Sequence, residues 1–520
     1  MSVSNISNLF AEWDGKIAAP VIPNTVTENG AAAYSSTGSA CLDFFSWVVR
    51  DTPSDKVVEL FRAAYLENPH LALKVLFNLR DCIKNGKQEK RVSFDALHCL
   101  KSWKPKTYLK NLHGFVSHGC YKDALVLHSM GRHPLDADAD LRLMAATLKD
   151  DYAKLTAAGG AAGTVSISLA AKWAPTEGCS FDKKTRAAHK IAKFCGWSMP
   201  TYRHNLSGPS GMRKALNILE RHQSLGEWDK INFEHVPSVA MKKQKKAFER
   251  HLPEKFRSYL AAVMAGKAKM NSKGVQPHEL VRDYMHGGYD DPSTNAQWEA
   301  LMTRLRTAGL FKDAVAVCDV SGSMSGVPME VSIALGLVVA EMTAEPFKGK
   351  VITFSAVPQW HTIVGSTLRE KVGSLSRAHW EQNTDLIAVF KMLLTEAKTY
   401  RLSPEQMIKK IFVFTDMQFD VANNDGMHVA RFGTPTKYQT TYDIVKQMYA
   451  DAGYTIPQIV FWNLRATHTS FPVDKSAPGV ALMSGFSSEM LKMFLDDEPM
   501  TPYSMMLKAV KDYEVFVVDE

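Results

Sequence analysis

The sequence predicts a protein of two parts: an all-α helical-repeat region followed by an α/β region built on a mostly parallel sheet. Three observations predict it. The chain has 520 residues, too many for one ordinary domain, and 45% of them are apolar, which is enough for real cores. Apolar residues recur every three or four positions through residues 42–158 and 182–285. After residue 290, short β-rich runs alternate with helical ones.

The helical part follows an N-terminal arm, residues 1–30, which is expected to be extended or poorly ordered. Residues 31–290 then form the helical-repeat domain, with a flexible GGAAG break at residues 159–163. Its first helices are predicted from these apolar residues: Val57, Val58, Leu60, Phe61, Leu71, Leu73, Leu76, Phe77, Leu79, Phe94, Leu97 and Leu100. Helix after helix without strands is typical of a solenoid of stacked pairs.

Residues 291–520 are predicted to form the α/β domain. Strands are expected at residues 314–320, 351–354, 411–415, 459–462 and 480–483, with helices such as 329–343 and 385–397 between them. This alternation indicates βαβ units, in which helices cover both faces of the sheet.

Composition narrows the kinds of partner and compartment. No apolar run approaches the roughly 20 residues of a membrane span, and the seven cysteines form no C-x-x-C pair. We therefore expect a soluble, cytoplasmic protein in a reducing compartment.

The net charge is +8, but residues 181–275 hold 20 Lys and Arg against 7 Asp and Glu, a net +13. The rest of the chain therefore carries −5, and the basic character belongs to one region.

The stretch AVAVCDVSGSMSG, residues 314–326, ends a predicted strand in an acid and two serines. Ligands of parallel α/β sheets bind beyond the carboxyl ends of the strands. Because residues two apart in an extended loop point the same way, Asp319, Ser321 and Ser323 can face one point. Such oxygen ligands suit Mg²⁺ best, with Mn²⁺ and Ca²⁺ as alternatives. An ion held by so few anions would also bind an outside carboxylate or phosphate.

Two other kinds of ligand-binding loop do not fit this stretch. A Walker A loop requires a Lys that does not follow Gly326, and a phosphoryl-transferring D-x-D loop requires an acid where Ser321 stands. The remaining alternative is structural, with Asp319 and the serines capping the following helix.

Two later stretches favour the metal site. WEQNTDL places Thr384 at a helix start, and IFVFTDMQFD places Asp416 after a β-run. D-x-S-x-S, then a loop Thr, then an Asp closing a strand, resembles the metal-ion-dependent adhesion site of von Willebrand factor A domains, which have a Rossmann-like fold. The resemblance implies that the cation is held by Asp319, Ser321, Ser323, Thr384 and Asp416. One departure is Asn383, where the family commonly has Gly.

The order of the two parts resembles the Ro autoantigen family, whose TROVE module is a ring of HEAT-like helices that binds RNA. The sequence is still more similar to a family of uncharacterised plant, fungal, giant-virus and phage proteins with the same layout. The stretches that carry this similarity are NGAAAYSSTGSACLDFF (29–45), TYRHNLSGPSGMRKALNILE (201–220), VPSVAMKKQKKAFERH (236–251), GKAKMNSKGVQPHELV (266–281) and AVCDVSGSM (316–324).

The basic region offers candidate RNA contacts of its own. Three clusters could follow a phosphate backbone, with Trp197, Tyr202 and His204 as stacking groups. The clusters comprise Lys183, Lys184, Arg186, Lys190 and Lys193, then Lys242, Lys243, Lys245, Lys246 and Arg250, then Lys267, Lys269 and Lys273. A solvated charged face is the alternative interpretation.

We therefore expect a non-enzymatic RNA-binding protein of ribonucleoprotein type whose second part holds a divalent cation. The alternative is a protein-interaction scaffold in which the cation binds an acidic partner. A metal-dependent hydrolase ranks third, because no general base or nucleophile stands beside Asp319 apart from the metal ligands.

Overall fold

The computed structural model describes residues 23–159, 165–354, 357–378, 385–419, 440–466 and 470–520. Within these residues the chain before residue 312 is helical apart from one short hairpin. The chain after it carries a six-stranded sheet with flanking helices. The expected sequence of a helical part followed by an α/β part is confirmed at this level.

The α-helices of the described residues are Ala40–Trp47, Ser54–Glu67, Pro69–Arg80, Arg91–Trp103, Pro105–His118, Tyr121–Met130, Ala139–Ala157, Ala170–Trp173, Ser180–Thr185, Ala187–Cys195, Met199–Ser207, Met212–Ala215, Leu219–Ser224, Ser238–His251, Pro253–Met264, Pro277–Met285, Pro292–Ala308, Val327–Met342, Leu368–Ser376, Leu386–Tyr400, Thr441–Asp451 and Pro502–Val510. The strands are β1 (Thr25–Val26), β2 (Ala32–Ala33), β3 (Ala314–Cys318), β4 (Lys350–Thr353), β5 (Trp360–Thr362), β6 (Lys410–Thr415), β7 (Gln458–Asn463) and β8 (Val480–Ser484).

Several helices begin at capping residues that the sequence supplies. Asn68 accepts a hydrogen bond from the Leu71 amide at the start of Pro69–Arg80, whose first residue is a proline. Thr440 and Asp443 form a reciprocal capping box at the start of Thr441–Asp451. These side chains satisfy amides that have no partner inside a helix, so they set where each helix starts.

The described part of the N-terminal arm contains the extended strand β1. β1 pairs antiparallel with β2, and the hairpin that they form contacts the loop after β6. Gly30 adopts a φ of 87° in the turn, which glycine does without steric cost. The hairpin was not predicted because its strands have two residues each and show no alternation. The hairpin is held by a hydrogen bond from Thr27 to Phe419, which lies nearly 400 residues further along the chain.

The sheet has the order β5-β4-β3-β6-β7-β8. All neighbouring strands run parallel except β4 and β5, so the sheet is mixed. β3 and β6 lie at its centre, and every residue of both is buried. The predicted strands all appear, whereas the edge strand β5 was missed because it is only three residues long.

One apolar core joins the two parts. It combines side chains from helix Ala40–Trp47 onward with both faces of the sheet and with helix Pro502–Val510. Helix Pro277–Met285 also packs on helix Val327–Met342, which follows the candidate metal loop. Two smaller cores fill the rest of the helical part, between residues 125 and 212 and between residues 219 and 296.

Helix Pro292–Ala308 contacts elements on both sides of the predicted boundary near residue 290. It packs against Ser238–His251 and Pro253–Met264 in the helical part and against Val327–Met342 in the α/β part. Segment 513–520 crosses back in the other direction. The Glu520 carboxylate accepts hydrogen bonds from the amides of Lys106 and Thr107 at 2.8 and 2.9 Å, at the start of helix Pro105–His118.

Candidate functional site

The candidate metal loop lies where the strand order reverses. The chain runs outward from β3 to β4 and β5, then returns to place β6 on the other side of β3. Such a reversal opens a crevice at the carboxyl ends of the two central strands. Asp319 directly follows β3 and Asp416 directly follows β6, so both acids stand at this crevice.

Asp319 is fully buried, and both its carboxylate oxygens accept hydrogen bonds. The Ser321 amide donates to Oδ1 at 2.9 Å, and Thr415 Oγ1 donates to Oδ2 at 2.8 Å. The hydroxyl oxygens of Ser321 and Ser323 lie 2.9 Å apart. Ser321 is buried and Ser323 is exposed, so the loop runs from the core to the surface. The structure thus brings Asp319, Ser321 and Ser323 together.

The loop does not cap the helix that follows it. Helix Val327–Met342 begins after Gly326, and no side chain makes a capping hydrogen bond there. Gly326 has a φ of 89°, which glycine adopts without steric cost, and this conformation lets the chain turn tightly into the helix. The capping alternative for Asp319 and the serines therefore fails for this helix.

Asp416 is also fully buried, and its two carboxylate oxygens differ in their hydrogen bonding. Oδ1 accepts a hydrogen bond from the Gln418 amide at 3.2 Å, whereas Oδ2 has no hydrogen-bond donor in the described part of the chain. Met417, the next residue, has a φ of 65° in the left-handed region. A buried carboxylate oxygen without a donor is costly, and a cation is one group that removes the cost.

The charge of Asp416 affects the ionisation of Asp319. Burial, followed by the charge of Asp416, raises the pKa of Asp319 to about 6. Two neighbouring carboxylates in a buried site repel each other, and a divalent cation between them would cancel that repulsion. The donor set of carboxylates and hydroxyls fits Mg²⁺, which prefers hard oxygen ligands and retains some of its water.

Thr384, the remaining predicted ligand, lies outside the described residues, as does Asn383. Among the described residues, no group of three or more His, Cys, Asp and Glu side chains is arranged to hold a metal, either at the crevice or away from it. A cation at the crevice would therefore use Asp319 and Asp416 with serine hydroxyls and water, rather than a larger set of acids or imidazoles.

Two supporting groups were missed in the sequence. Thr415, at the end of β6, links that strand to Asp319, and its position beside Asp416 was the available signal. Glu330, in the first turn of Val327–Met342, is buried and accepts from Arg282 Nε at 2.7 Å. Arg282 belongs to Pro277–Met285, so this ion pair holds the helix after the metal loop against the helical part. Its partners are 48 residues apart, a pairing that sequence spacing does not reveal.

In the second basic cluster, three side chains are exposed to solvent and two contact neighbouring elements. Lys243, Lys246 and Arg250 of helix Ser238–His251 are exposed and, at spacings of three and four, share one face. Lys242 and Lys245 point elsewhere. Lys242 donates to the Glu279 carbonyl, and Lys245 forms an ion pair with Asp291. Burial lowers the pKa of Lys242, and both lysines anchor their helix to neighbouring elements instead of facing solvent.

The other two clusters are mostly exposed. Lys183, Lys184, Arg186 and Lys193 are exposed, whereas Lys190 pairs with Asp138 at 2.8 Å. Lys267 and Lys269 are exposed in the loop after Pro253–Met264, and Lys273 donates to the Ile83 carbonyl.

The three predicted stacking groups differ in how accessible they are to an RNA base. Tyr202 is fully buried and donates to the Pro175 carbonyl at 2.8 Å, so it is not available to a base. Trp197 is partly buried with its ring edge-on to Tyr152 at 5.5 Å, and His204 is exposed. Of the three, His204 has the most accessible ring. Tyr202 was misassigned because its place on the inner face of helix Met199–Ser207 depends on packing against other helices.

Comparisons with known proteins agree with this two-part layout. Residues 27–136 and 138–311 match the family described as domain of unknown function DUF2828, and residues 313–515 match the one described as DUF7788. Uncharacterized protein L728 of Acanthamoeba polyphaga mimivirus is 36% identical over 514 residues, covering 94% of this chain and 87% of its own length. Within the described residues no helix is long and apolar enough to cross a membrane. The chain belongs to the DUF2828 family, an uncharacterised family with viral members, and carries a DUF7788 domain after the helical part.

Proposed function

We propose that this protein is a non-enzymatic, cytoplasmic RNA-binding protein of ribonucleoprotein type. Its helical part would act as a TROVE-like, HEAT-like RNA platform, and its α/β part as a von Willebrand factor A-like domain with a metal-ion-dependent adhesion site. The observation that carries the RNA proposal is that most basic side chains of the +13 segment remain on the surface. Among the three predicted clusters, the exposed residues are Lys183, Lys184, Arg186, Lys193, Lys243, Lys246, Arg250, Lys267, Lys269 and Lys273.

The cation site has a separate supporting observation: Oδ2 of buried Asp416, beside buried Asp319, has no hydrogen-bond donor among the residues that the structure describes. The chain's own groups would hold the cation through the two acids and the serine hydroxyls. When bound, the cation would supply a coordination position for an outside carboxylate or phosphate. Mg²⁺ is the favoured ion, with Mn²⁺ and Ca²⁺ as alternatives.

The RNA proposal is tested by removing three exposed charges from one helix face. In the variant Lys243→Gln, Lys246→Gln, Arg250→Gln, we expect weaker binding of a labelled RNA stem-loop and a salt dependence flatter by about two to three units of slope, because up to three phosphate contacts are lost. Fluorescence anisotropy at several salt concentrations measures both quantities.

The matched control removes the same charge from the α/β part through Lys312→Gln, Lys348→Gln and Lys398→Gln, all at exposed positions. This control should bind RNA like the wild type. Absence of binding by the wild type at low salt, or an equal loss in both variants, would refute the RNA proposal.

The alternative function is a protein-interaction scaffold whose cation binds an acidic partner. It is favoured by the partly buried positions of Lys190, Lys242 and Lys245, whose charged groups bind other parts of the chain, and by the donation from exposed Lys273 to the Ile83 carbonyl. These contacts leave fewer basic groups free for phosphate than the sequence indicates. Asp319→Ala separates the two functions. It should spare RNA binding and abolish capture of an acidic peptide in Mg²⁺ if the α/β part acts as a separate adhesion site.

A further inference from the structure

The hairpin of β1 and β2 places its turn against the loop that follows β6. Within the turn, the Thr27 amide donates to the Ala31 carbonyl at 2.8 Å, and the Gly30 amide donates to the Thr27 carbonyl at 2.9 Å. Thr27 is only 5% exposed, although its neighbours Val26 and Glu28 are on the surface. A buried threonine in an otherwise exposed turn indicates a specific contact.

That contact is made with two residues just beyond Asp416. Thr27 Oγ1 donates to the Phe419 carbonyl at 2.8 Å and also accepts from the Ala31 amide at 3.0 Å. Asn29 Nδ2 donates to the Gln418 carbonyl at 2.9 Å. The Glu28 amide donates to the Gln418 side chain at 2.8 Å. Three consecutive residues of the turn therefore hold the backbone and side chain of residues 418 and 419.

The loop they hold has an unusual local conformation. Met417 adopts a left-handed φ of 65°, which costs a non-glycine residue on the order of 1 kcal/mol. The Met417 amide turns back to Thr415 Oγ1 at 3.2 Å, and the Gln418 amide turns back to Asp416 Oδ1 at 3.2 Å. The position of the Asp416 carboxylate is thus coupled directly to the backbone at residue 418.

We propose that Thr27 and Asn29 are positioning residues for Asp416, so that the N-terminal arm of the chain completes the cation site of the α/β part. The inference rests on the proposed cation site. By fixing the carbonyls of residues 418 and 419, the hairpin holds the Gln418 amide on Oδ1, while Oδ2 has no hydrogen-bond donor among the described residues. Groups that orient a metal ligand in this way typically change metal affinity by about 10- to 100-fold when they are removed.

The experiment measures Mn²⁺ binding to the full chain by electron paramagnetic resonance, with the melting temperature in EDTA measured alongside. Thr27→Val keeps the shape of the side chain but loses the donor to Phe419, and should weaken Mn²⁺ binding about tenfold or more. Thr27→Ser keeps the hydroxyl and should restore wild-type affinity. Val26→Thr changes an exposed residue of the same hairpin and should leave the affinity unchanged.

A second variant guards against a folding defect. Asn29 is exposed, so Asn29→Ala should fold, and it should also weaken Mn²⁺ binding through loss of the bond to the Gln418 carbonyl. A lower melting temperature in EDTA with unchanged Mn²⁺ affinity for both variants would overturn the positioning role and leave the cation site standing. Failure of the wild type to bind Mn²⁺ or Mg²⁺ would overturn the cation site itself, and the positioning role with it.

Discussion

Asp319 is the residue at which protons and a cation should compete most directly. Its pKa of about 6 means that the carboxylate is protonated over much of the mildly acidic range. We expect Mg²⁺ or Mn²⁺ affinity to be constant above pH 7 and to fall by up to about tenfold per pH unit below pH 6, because the cation must displace a proton. Isothermal titration calorimetry between pH 5 and pH 8 measures this. A flat affinity across that range would contradict it.

The same shift has a consequence for the metal-free protein. The folded-state pKa lies above the unfolded-state value, so the unfolded chain loses this proton first and stability falls as pH rises from about 4 through 6. Asp319→Asn removes the titration. In EDTA, the melting temperature of the variant minus that of the wild type should therefore be higher at pH 8 than at pH 5.

At the scale of residues, the sequence was informative about acids at strand ends and less so about lysines. Asp319 and Asp416 were identifiable because each closes an apolar run that becomes a central strand. Lys242 and Lys245 looked equivalent to Lys243 and Lys246, but their partners, Glu279 and Asp291, lie 37 and 46 residues further along. Tertiary packing decides which side of a charged helix faces solvent.

At the scale of elements, Lys87 joins a helix of the first part to a strand of the second. It is almost completely buried, donates to the Phe45 carbonyl near the end of Ala40–Trp47, and donates to Ser484 Oγ at the end of β8 at 2.6 Å. Ser484 donates in turn toward the carbonyls of Phe45 and Val48. These buried polar groups connect the two parts of the chain, and Lys87 is the titratable side chain among them.

Burial lowers the pKa of Lys87 to about 7, well below its usual value of about 10.4. Between these values the unfolded chain holds a proton that the folded chain lacks, so this residue makes stability rise with pH. Relative to Lys87→Met, the wild type should gain up to about 1.4 kcal/mol of unfolding free energy per pH unit above pH 7. Urea denaturation of both proteins at pH 6.5 and pH 9 measures the difference, and parallel pH dependence in the two would contradict it.

Long elements of the fold were predictable, and short ones were not. Helices and buried parallel strands contain enough apolar residues at regular spacing to be recognised from their own sequence. β1, β2 and β5 have two or three residues each, too few to show a period. The β1–β2 hairpin is held by partners distant in sequence: Thr27 donates to the Phe419 carbonyl, and Tyr34, just after β2, pairs through its backbone with Phe471. β5 pairs with the nearby strand β4 but is too short to be predicted.

At the scale of the whole molecule, the shared core predicts that both parts unfold together. The Phe471 ring, between β7 and β8, packs edge-on against Trp47 of the first helix with centroids 5.5 Å apart. Phe471→Ala should cost about 3–5 kcal/mol because the ring is buried. Since the core crosses from one part to the other, the loss should appear equally in both.

Hydrogen exchange with increasing urea tests this in peptides from helix Pro69–Arg80 and strand β6. Both should lose protection at the same, lower urea concentration in the Phe471→Ala variant. Loss of protection in β6 while the helix stays protected would show that the two parts are thermodynamically independent. The sequence predicted two domains from a change in periodicity, but periodicity is local and does not report that a core crosses the boundary.

The docking of the β1–β2 hairpin also constrains how the nascent chain can fold on the ribosome. Thr27 finds its partner, Phe419, only after 392 further residues have been made. At 5–20 residues per second this is a delay of roughly 20 to 80 s. During translation the hairpin and the apolar helix Ala40–Trp47 therefore lack their final surface. This early segment can therefore dock only after the sheet has been made, and we expect it to need protection until then.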